Sequence, residues 1–180
     1  MTSVAEPTRL ILKPPSLSSW LLGNRPKAIL LVSFCPTLLL TGLVEVVPST
    51  TILFIDSYED VRQHYVRRLT MSSPGYVILE ADTGEAGLSI CKSRRIDCVV
   101  SELDLPDMSG FQVLLELVPR VTHPEVAVII LTRIDVTTFS KHALKNGAQA
   151  YLVKSPTSCD DLDKVIPKAL ATVPRKELRN

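Results

Sequence analysis

The feature that most constrains this chain is an alternation repeated five times after Pro48: a short, mostly apolar run, then a stretch with helical spacing. The first run, TILFID (51–56), leads into Tyr58 to Leu69, where Val61, Tyr65 and Leu69 recur at the interval of one helix face. YVILEAD (76–82) follows a Ser-Ser-Pro-Gly turn, and Thr83-Gly84-Glu85-Ala86 opens the next helix. IDCVVSEL (96–103) reads as a third strand, LPDMSG as a loop, and FQVLLELV (111–118) as a helix stopped by Pro119. EVAVIILT (125–132) is a fourth, nearly continuous apolar strand, and a helix from about Val136 to Lys145 ends at Asn146-Gly147, as a C-cap does. AQAYLVK (148–154) is the fifth strand. The last helix takes Ser158 as N-cap, with Asp160 and Asp161 in the first turn, where carboxylates meet the positive end of the helix dipole.

Strands that are apolar throughout, each separated from the next by a helix, leave no face for water. They predict a doubly wound α/β domain, a five-stranded parallel sheet with helices on both sides, over residues 49–173. Functional groups in such sheets collect where strands end at their carboxyl edge. Here those ends carry Asp56, Glu102, Thr132 and Lys154. Two acids, a hydroxyl and an amine converging on one edge suit a cluster in which carboxylates hold a cation or accept phosphate, the lysine balances charge and the hydroxyl responds to it.

Residues 1–48 are of another kind. Pro7, Pro14, Pro15, Pro26 and Pro36 interrupt short apolar pieces that show neither helical period nor strand alternation, so an N-terminal extension is expected there. Ala28 to Val44 carries no charge and follows Arg25 and Lys27, as a membrane anchor would. It is shorter than the roughly 18–20 apolar residues of a spanning helix and has Pro36 at its centre. A loosely packed extension, or residues ahead of a start codon further downstream, fits better than an anchor. Residues 174–180 read as a short charged tail, with no room for a helix-turn-helix output domain.

Twenty Lys and Arg against nineteen Asp and Glu give a net charge of +1, so no global field favours nucleic acid or an anionic membrane. Neither is expected as a partner. The four cysteines, at 35, 91, 98 and 159, form no CxxC pair and have no histidine at ligand spacing, which points to reduced thiols in the cytoplasm. Cys91 and Cys98 read as small apolar core residues, and His64, His123 and His142 as solvated or loop residues. No GxGxxG follows the first strand, and no GxxxxGKS/T or GxSxG occurs, so an enzyme is not expected.

Taken together, ILFID followed by SYEDVR, YVILEADTGEAGL, DCVVSELDLPDMSGFQVL, VIILT, and GAQAYLVK followed by SP carry a resemblance. The segment from about Thr51 to Val173 is similar to a response-regulator receiver domain, the phosphoryl-accepting module of two-component signalling, with the flavodoxin-like (βα)5 fold. The resemblance implies that an acidic pair after the first strand and an Asp ending the third hold magnesium. The third-strand Asp would receive the phosphoryl group, and the Ser/Thr and Lys would detect it. It further implies a histidine kinase or effector as partner and a pairing surface on the fourth helix, fifth strand and fifth helix, with Phe139 as a contact.

The departures from the family pattern carry as much information. Four residues before the loop proline, Pro106, stands Glu102 where the family has Asp, which displaces any acyl phosphate by one methylene. Asp56 is followed by Ser57, so one carboxylate of the metal site is missing; Asp56 and Glu102 remain as weak magnesium ligands, and Asp56 also fits a cap for the following helix. Arg133 follows Thr132 where a small residue is usual, placed to cover the pocket or to pair with Glu102 or Asp104. Lys154 is followed by Ser155 and only then by Pro156. Tyr151 fits either a half-buried sheet aromatic or a switch residue acting with Thr132. The expectation is a pseudo-receiver, in which Glu102 supplies permanent negative charge beside Lys154. The alternative is a stand-alone receiver phosphorylated on Glu102 or Asp104.

Overall fold

The computed structural model describes residues 49–174; the expectations for the N-terminal extension, Ala28–Val44 and the charged tail from 175 on lie outside them. Within that range five strands and five helices alternate without exception. The strands are β1 (Thr50–Ile55), β2 (Tyr76–Ala81), β3 (Cys98–Ser101), β4 (Ala127–Thr132) and β5 (Ala150–Val153). The helices are α1 (Glu59–Ser72), α2 (Gly84–Ser93), α3 (Gly110–Leu117), α4 (Thr137–Lys145) and α5 (Cys159–Ala171). All strand pairs are parallel, in the order β2-β1-β3-β4-β5. This is the flavodoxin-like arrangement, whose strand order reverses between β1 and β3.

Successive side chains of a strand point to opposite faces, and here both faces are dry. Leu53 and Ile55 of β1, Val99 of β3, and Val128 and Ile130 of β4 pack with Val113 and Leu114 of α3 and Ala143 of α4. Ile52 and Phe54, Cys98 and Val100, and Ile129 and Leu131 pack on the other side with Tyr65 and Leu69 of α1 and Leu162 and Ile166 of α5. That double burial explains why the strands lack a polar alternation.

Cys98 is buried and Cys91 half-buried, and burial pushes their thiols up to about 12 and about 11. They are inert packing groups, as expected. His64, His123 and His142 are all exposed. Among the described residues no helix is long and apolar enough to cross a membrane.

Helix starts follow local chemistry. Ser109 with Gln112, and Ser158 with Asp161, form capping boxes on α3 and α5. Asn146 is the C-cap of α4, and Gly147 adopts a φ of 96°, which a side chain would strain. α1 has Tyr58 as N-cap, without a side-chain cap bond, while the Asp56 carboxylate accepts from the Tyr58 N–H just ahead of the helix. β3, β4 and β5 are each shorter than their apolar runs, because Leu103, Val126 and Ala148 are buried without belonging to the strand ladders.

Candidate functional site

The sheet register builds the site. Ile55 pairs with Ser101 across β1 and β3, so the next residues, Asp56 and Glu102, stand side by side at the carboxyl edge. Thr132 pairs with Val153, which puts Lys154 just beyond. Each main chain stays tied to its neighbouring strand: Asp56 N–H donates to Ala81 O (3.0 Å), Glu102 N–H to Ile55 O (2.9 Å) and Lys154 N–H to Thr132 O (2.8 Å). Lys154 extends over β4 to reach both acids. Its Nζ lies 2.6 Å from Asp56 Oδ2 and 2.7 Å from Glu102 Oε2. The Lys154 side chain is 7% exposed, and those of Asp56 and Glu102 are 1% exposed. Charges so far from water persist only when paired.

The remaining carboxylate oxygens are also occupied. Glu102 Oε1 accepts from Leu103 N–H (2.7 Å) and Asp104 N–H (3.3 Å), and Asp56 Oδ1 accepts from Tyr58 N–H (3.0 Å). Burial alone would push the Glu102 carboxyl up. The bond from Lys154, the Thr132 hydroxyl, the lysine charge and the Leu103 amide outweigh it and hold the group below its ordinary range. Gly110 adjoins this turn so closely that a Cβ there would stand 2.2 Å from the Glu102 carbonyl oxygen. No other residue fits.

Thr132 and Tyr151 hold the two main-chain polar groups of one residue, Ile134. The buried Thr132 Oγ1 accepts from Ile134 N–H (3.2 Å), and the half-buried Tyr151 hydroxyl donates to Ile134 O (2.7 Å). Burial, then the charges of Glu102 and Asp135, raise the Tyr151 pKa, so its hydroxyl stays a donor. Arg133 pairs with neither Glu102 nor Asp104. Its guanidinium lies over the Tyr58 ring, 3.8 Å from the centroid, where the exposed aromatic joins the β1–α1 and β4–α4 loops above the charged cluster. Asp104 is exposed and apart from the other acids, its backbone bridging to Ser109. The structure therefore unites Asp56, Glu102, Thr132 and Lys154, attaches Tyr151 through Ile134, places Arg133 at the rim and leaves Asp104 outside.

The sequence reading missed three contributors. The Arg62 guanidinium of α1 donates to the Asp56 carbonyl and, at 3.0 Å, to Glu80. Asp107 caps α2 from the β3–α3 loop by accepting from Gly84 and Glu85 N–H at 2.9 and 2.8 Å. Tyr58 is the partner of Arg133. Asp107 and Tyr58 act on residues remote in the chain, and Arg62 reaches the carbonyl of Asp56, six residues before it, only because the β1–α1 loop folds back on the helix.

The donor set does not fit the magnesium ion that the resemblance implies. Only Asp56 and Glu102 could serve, Lys154 bonds both, and Ser57 stands where a further acid is needed. Among the described residues no three His, Cys, Asp or Glu side chains could hold a metal together. All described peptide bonds, that before Pro156 included, are trans.

Residues 52–166 match the family model of the response regulator receiver domain. The chain belongs to that family. Among related proteins, this receiver is 31% identical over 123 residues to the nitrate/nitrite response regulator protein NarL of Escherichia coli (strain K12), covering 67% of this chain and 55% of that protein. It is 29% identical over 120 residues to the transcriptional regulatory protein ZraR of Escherichia coli O157:H7, covering 67% and 26%. It spans 22% to 55% of the length of such curated relatives. By contrast it covers 95% of a solved response regulator receiver domain protein from Clostridium thermocellum, with 30% identity, 68% of this chain and a TM-score of 0.58. A CheY-like receiver from Methanospirillum hungatei JF-1 shares the fold at 24% identity and a TM-score of 0.62, covering 69% of this chain and 95% of that one. The chain is thus a receiver module of two-component signalling, a class that works through contacts with kinases and effectors.

Proposed function

We propose that this receiver acts without phosphorylation of its strand-end carboxylate, as a pseudo-receiver that signals through protein contacts. The observation that carries the reading is the occupancy of Glu102. Three of the four lone-pair sites of the carboxylate are taken, one by Lys154 on Oε2 and two by backbone amides on Oε1, which leaves little of the buried group open to a phosphodonor. The ionised Glu102 supplies, in permanent form, negative charge beside Lys154 in the place of an acyl phosphate. Ser57 follows Asp56, so the second carboxylate after the first strand that would help recruit a cation is missing. The module is accordingly a binding domain and not an enzyme.

Incubation of the protein with acetyl phosphate and magnesium, followed by intact mass measurement, is expected to leave it unmodified. A stable covalent phosphate on Glu102 or Asp104 would overturn the reading. Glu102→Asp shortens the side chain by one methylene and is the variant in which modification is expected to begin.

Self-pairing through α4, β5 and α5 belongs to the same proposal, with a change of residue. Phe139 packs edge-on against Phe111 of α3, on the flank of α4 away from β5. Leu144, exposed and apolar, lies on the opposite flank of α4 from Phe139. Light scattering of the protein and of Leu144→Asp measures whether that face pairs.

A further inference from the structure

The buried members of the carboxyl edge do not balance one another in charge. Asp56 and Glu102 face a single ammonium, that of Lys154, and all three side chains are buried. One negative charge is left over. The amides of Tyr58, Leu103 and Asp104 disperse it without cancelling it. Of the cations nearby, Arg62 donates to the Asp56 carbonyl but forms its ion pair with Glu80, at 3.0 Å. Arg133 belongs to no ion pair among the described residues.

Topology decides what Arg133 passes over. It leaves the end of β4, whereas Tyr58, on whose ring its guanidinium lies at 3.8 Å from the centroid, follows β1. β3 stands between those strands in the sheet order. The two side chains therefore meet across two strand spacings, roughly 10 Å, over the strand end that carries Glu102. Tyr58 is itself tied to the cluster, because its N–H donates to Asp56 Oδ1 at 3.0 Å. Tyr58 first, and after it the charges of Glu102 and Asp56, favour the charged form of the guanidinium. Both Arg133 and Tyr58 are exposed on their outer side, so the stacked pair covers the cluster without belonging to the core.

From this crossing and the leftover charge beneath it, we propose that Arg133 is the built-in counter-cation of the site, and that its stack on Tyr58 closes the Asp56 and Glu102 carboxylates to divalent cations. The inference deepens the pseudo-receiver reading and rests on it: charge that the chain itself answers needs no metal ion to neutralise it. Two departures from the family pattern then act together. Ser57 removes a carboxylate and Arg133 adds a cation, and both changes shift the site in the same direction, away from metal binding. A lysine at 133 would carry the charge without the flat stack that fixes a guanidinium on a ring.

Manganese titration of the isotope-labelled full chain tests this, read as paramagnetic broadening of the Tyr58, Leu103 and Asp104 amide signals. The wild type is expected to keep those signals sharp at manganese concentrations that broaden them in Arg133→Ala, whose half-broadening point should lie about tenfold lower. Tyr58→Leu frees the guanidinium without removing it and is expected to fall between the two, as is Arg133→Lys. Adding Asp56→Asn to Arg133→Ala should abolish the broadening. The remaining amide signals of the same spectra report whether each variant is folded, and Arg133 and Tyr58, being exposed, give two independent ways to open the site. Equal broadening in the wild type and Arg133→Ala would overturn the inference, and so would signals that stay sharp in both Arg133→Ala and Tyr58→Leu. Broadening that survives Asp56→Asn would overturn it as well, because the ion would then sit on exposed acids such as Asp104 and Asp135. The phosphodonor experiment reads a covalent change in mass, so the pseudo-receiver reading and this one fail by different measurements.

Discussion

The two edges of this sheet handle polar groups in opposite ways. At the amino edge, side chains complete the backbone: Asp97 Oδ2 accepts from Thr51 N–H at 2.9 Å, and Gln149 accepts from Val128 N–H while donating to Gly147 O at 2.8 Å. Asp97 keeps 26% of its side chain exposed, and its ion pair with Arg95, at 3.7 Å, lies at the surface. At the carboxyl edge, Asp56, Glu102 and Lys154 are buried and satisfy one another. A polar group that serves the backbone can be exchanged for any other acceptor. A buried charge cannot, because its partner is left unpaired in a medium that does not solvate it.

Lys154→Met is therefore expected to have the largest effect of any single change at either edge. It leaves two facing carboxylates without their cation and should cost about 3–5 kcal/mol, as removal of one partner from a buried ion pair does. Urea unfolding measures it. Recovery of stability on adding Asp56→Asn and Glu102→Gln would confirm that the loss comes from stranded charge. A cost no larger than that of an amino-edge change would dissolve the distinction.

Gly110→Ala comes next. The new Cβ would meet the Glu102 carbonyl oxygen at 2.2 Å and Leu103 Cα at 2.9 Å, both backbone atoms that cannot rotate away. The expected loss is about 1–3 kcal/mol, with the Glu102 turn displaced from Lys154. Gly75→Ala, where nothing lies within 4 Å of the added carbon, is the comparison that should show no clash. Equal losses at the two positions would mean that the carboxyl edge yields more readily than its geometry indicates.

Much of this was legible in the chain. The five strand–helix repeats and the placing of Asp56, Glu102, Thr132 and Lys154 at corresponding strand ends could be read, because period and punctuation are local properties. The capping boxes of α3 and α5 lie within four consecutive residues each, Ser109 to Gln112 and Ser158 to Asp161. Strand ends were overrun because burial and ladder pairing are separate conditions. Leu103 is 4% exposed, yet its N–H bonds the Glu102 side chain and not a strand. Partners fixed only by packing left no trace. Asp107 caps α2 from more than twenty residues away, Arg62 reaches the Asp56 carbonyl from the second turn of α1, and Phe139 faces α3 because of how α4 is rotated on the sheet.

The acid limb of stability separates the edges by charge. Glu102 has a folded pKa below its ordinary 4.5, so its contribution is complete above that pH and is lost as pH falls through the lower folded value. Urea midpoints followed from pH 6 downward should decline more steeply for the wild type than for Glu102→Gln, which carries no titrating group there. Parallel declines would mean that Glu102 is not the carboxylate whose ionisation the fold depends on.

The smallest effect is expected at the amino edge itself. Asp97→Ala removes the acceptor of the Thr51 amide at the start of β1 and should cost about 1 kcal/mol, the net worth of one hydrogen bond. Its exposed pairing with Arg95 adds little, since water and salt screen it. Asp97→Asn keeps a carbonyl oxygen in the same place and discards only the charge, so its urea midpoint should stay close to the wild type. The same exchange of acid for amide at Glu102 gives up a bond to a buried ammonium and should not be neutral. If Asp97→Asn is as damaging as Asp97→Ala, charge matters at both edges, and the separation between groups that serve the backbone and groups that serve each other no longer holds.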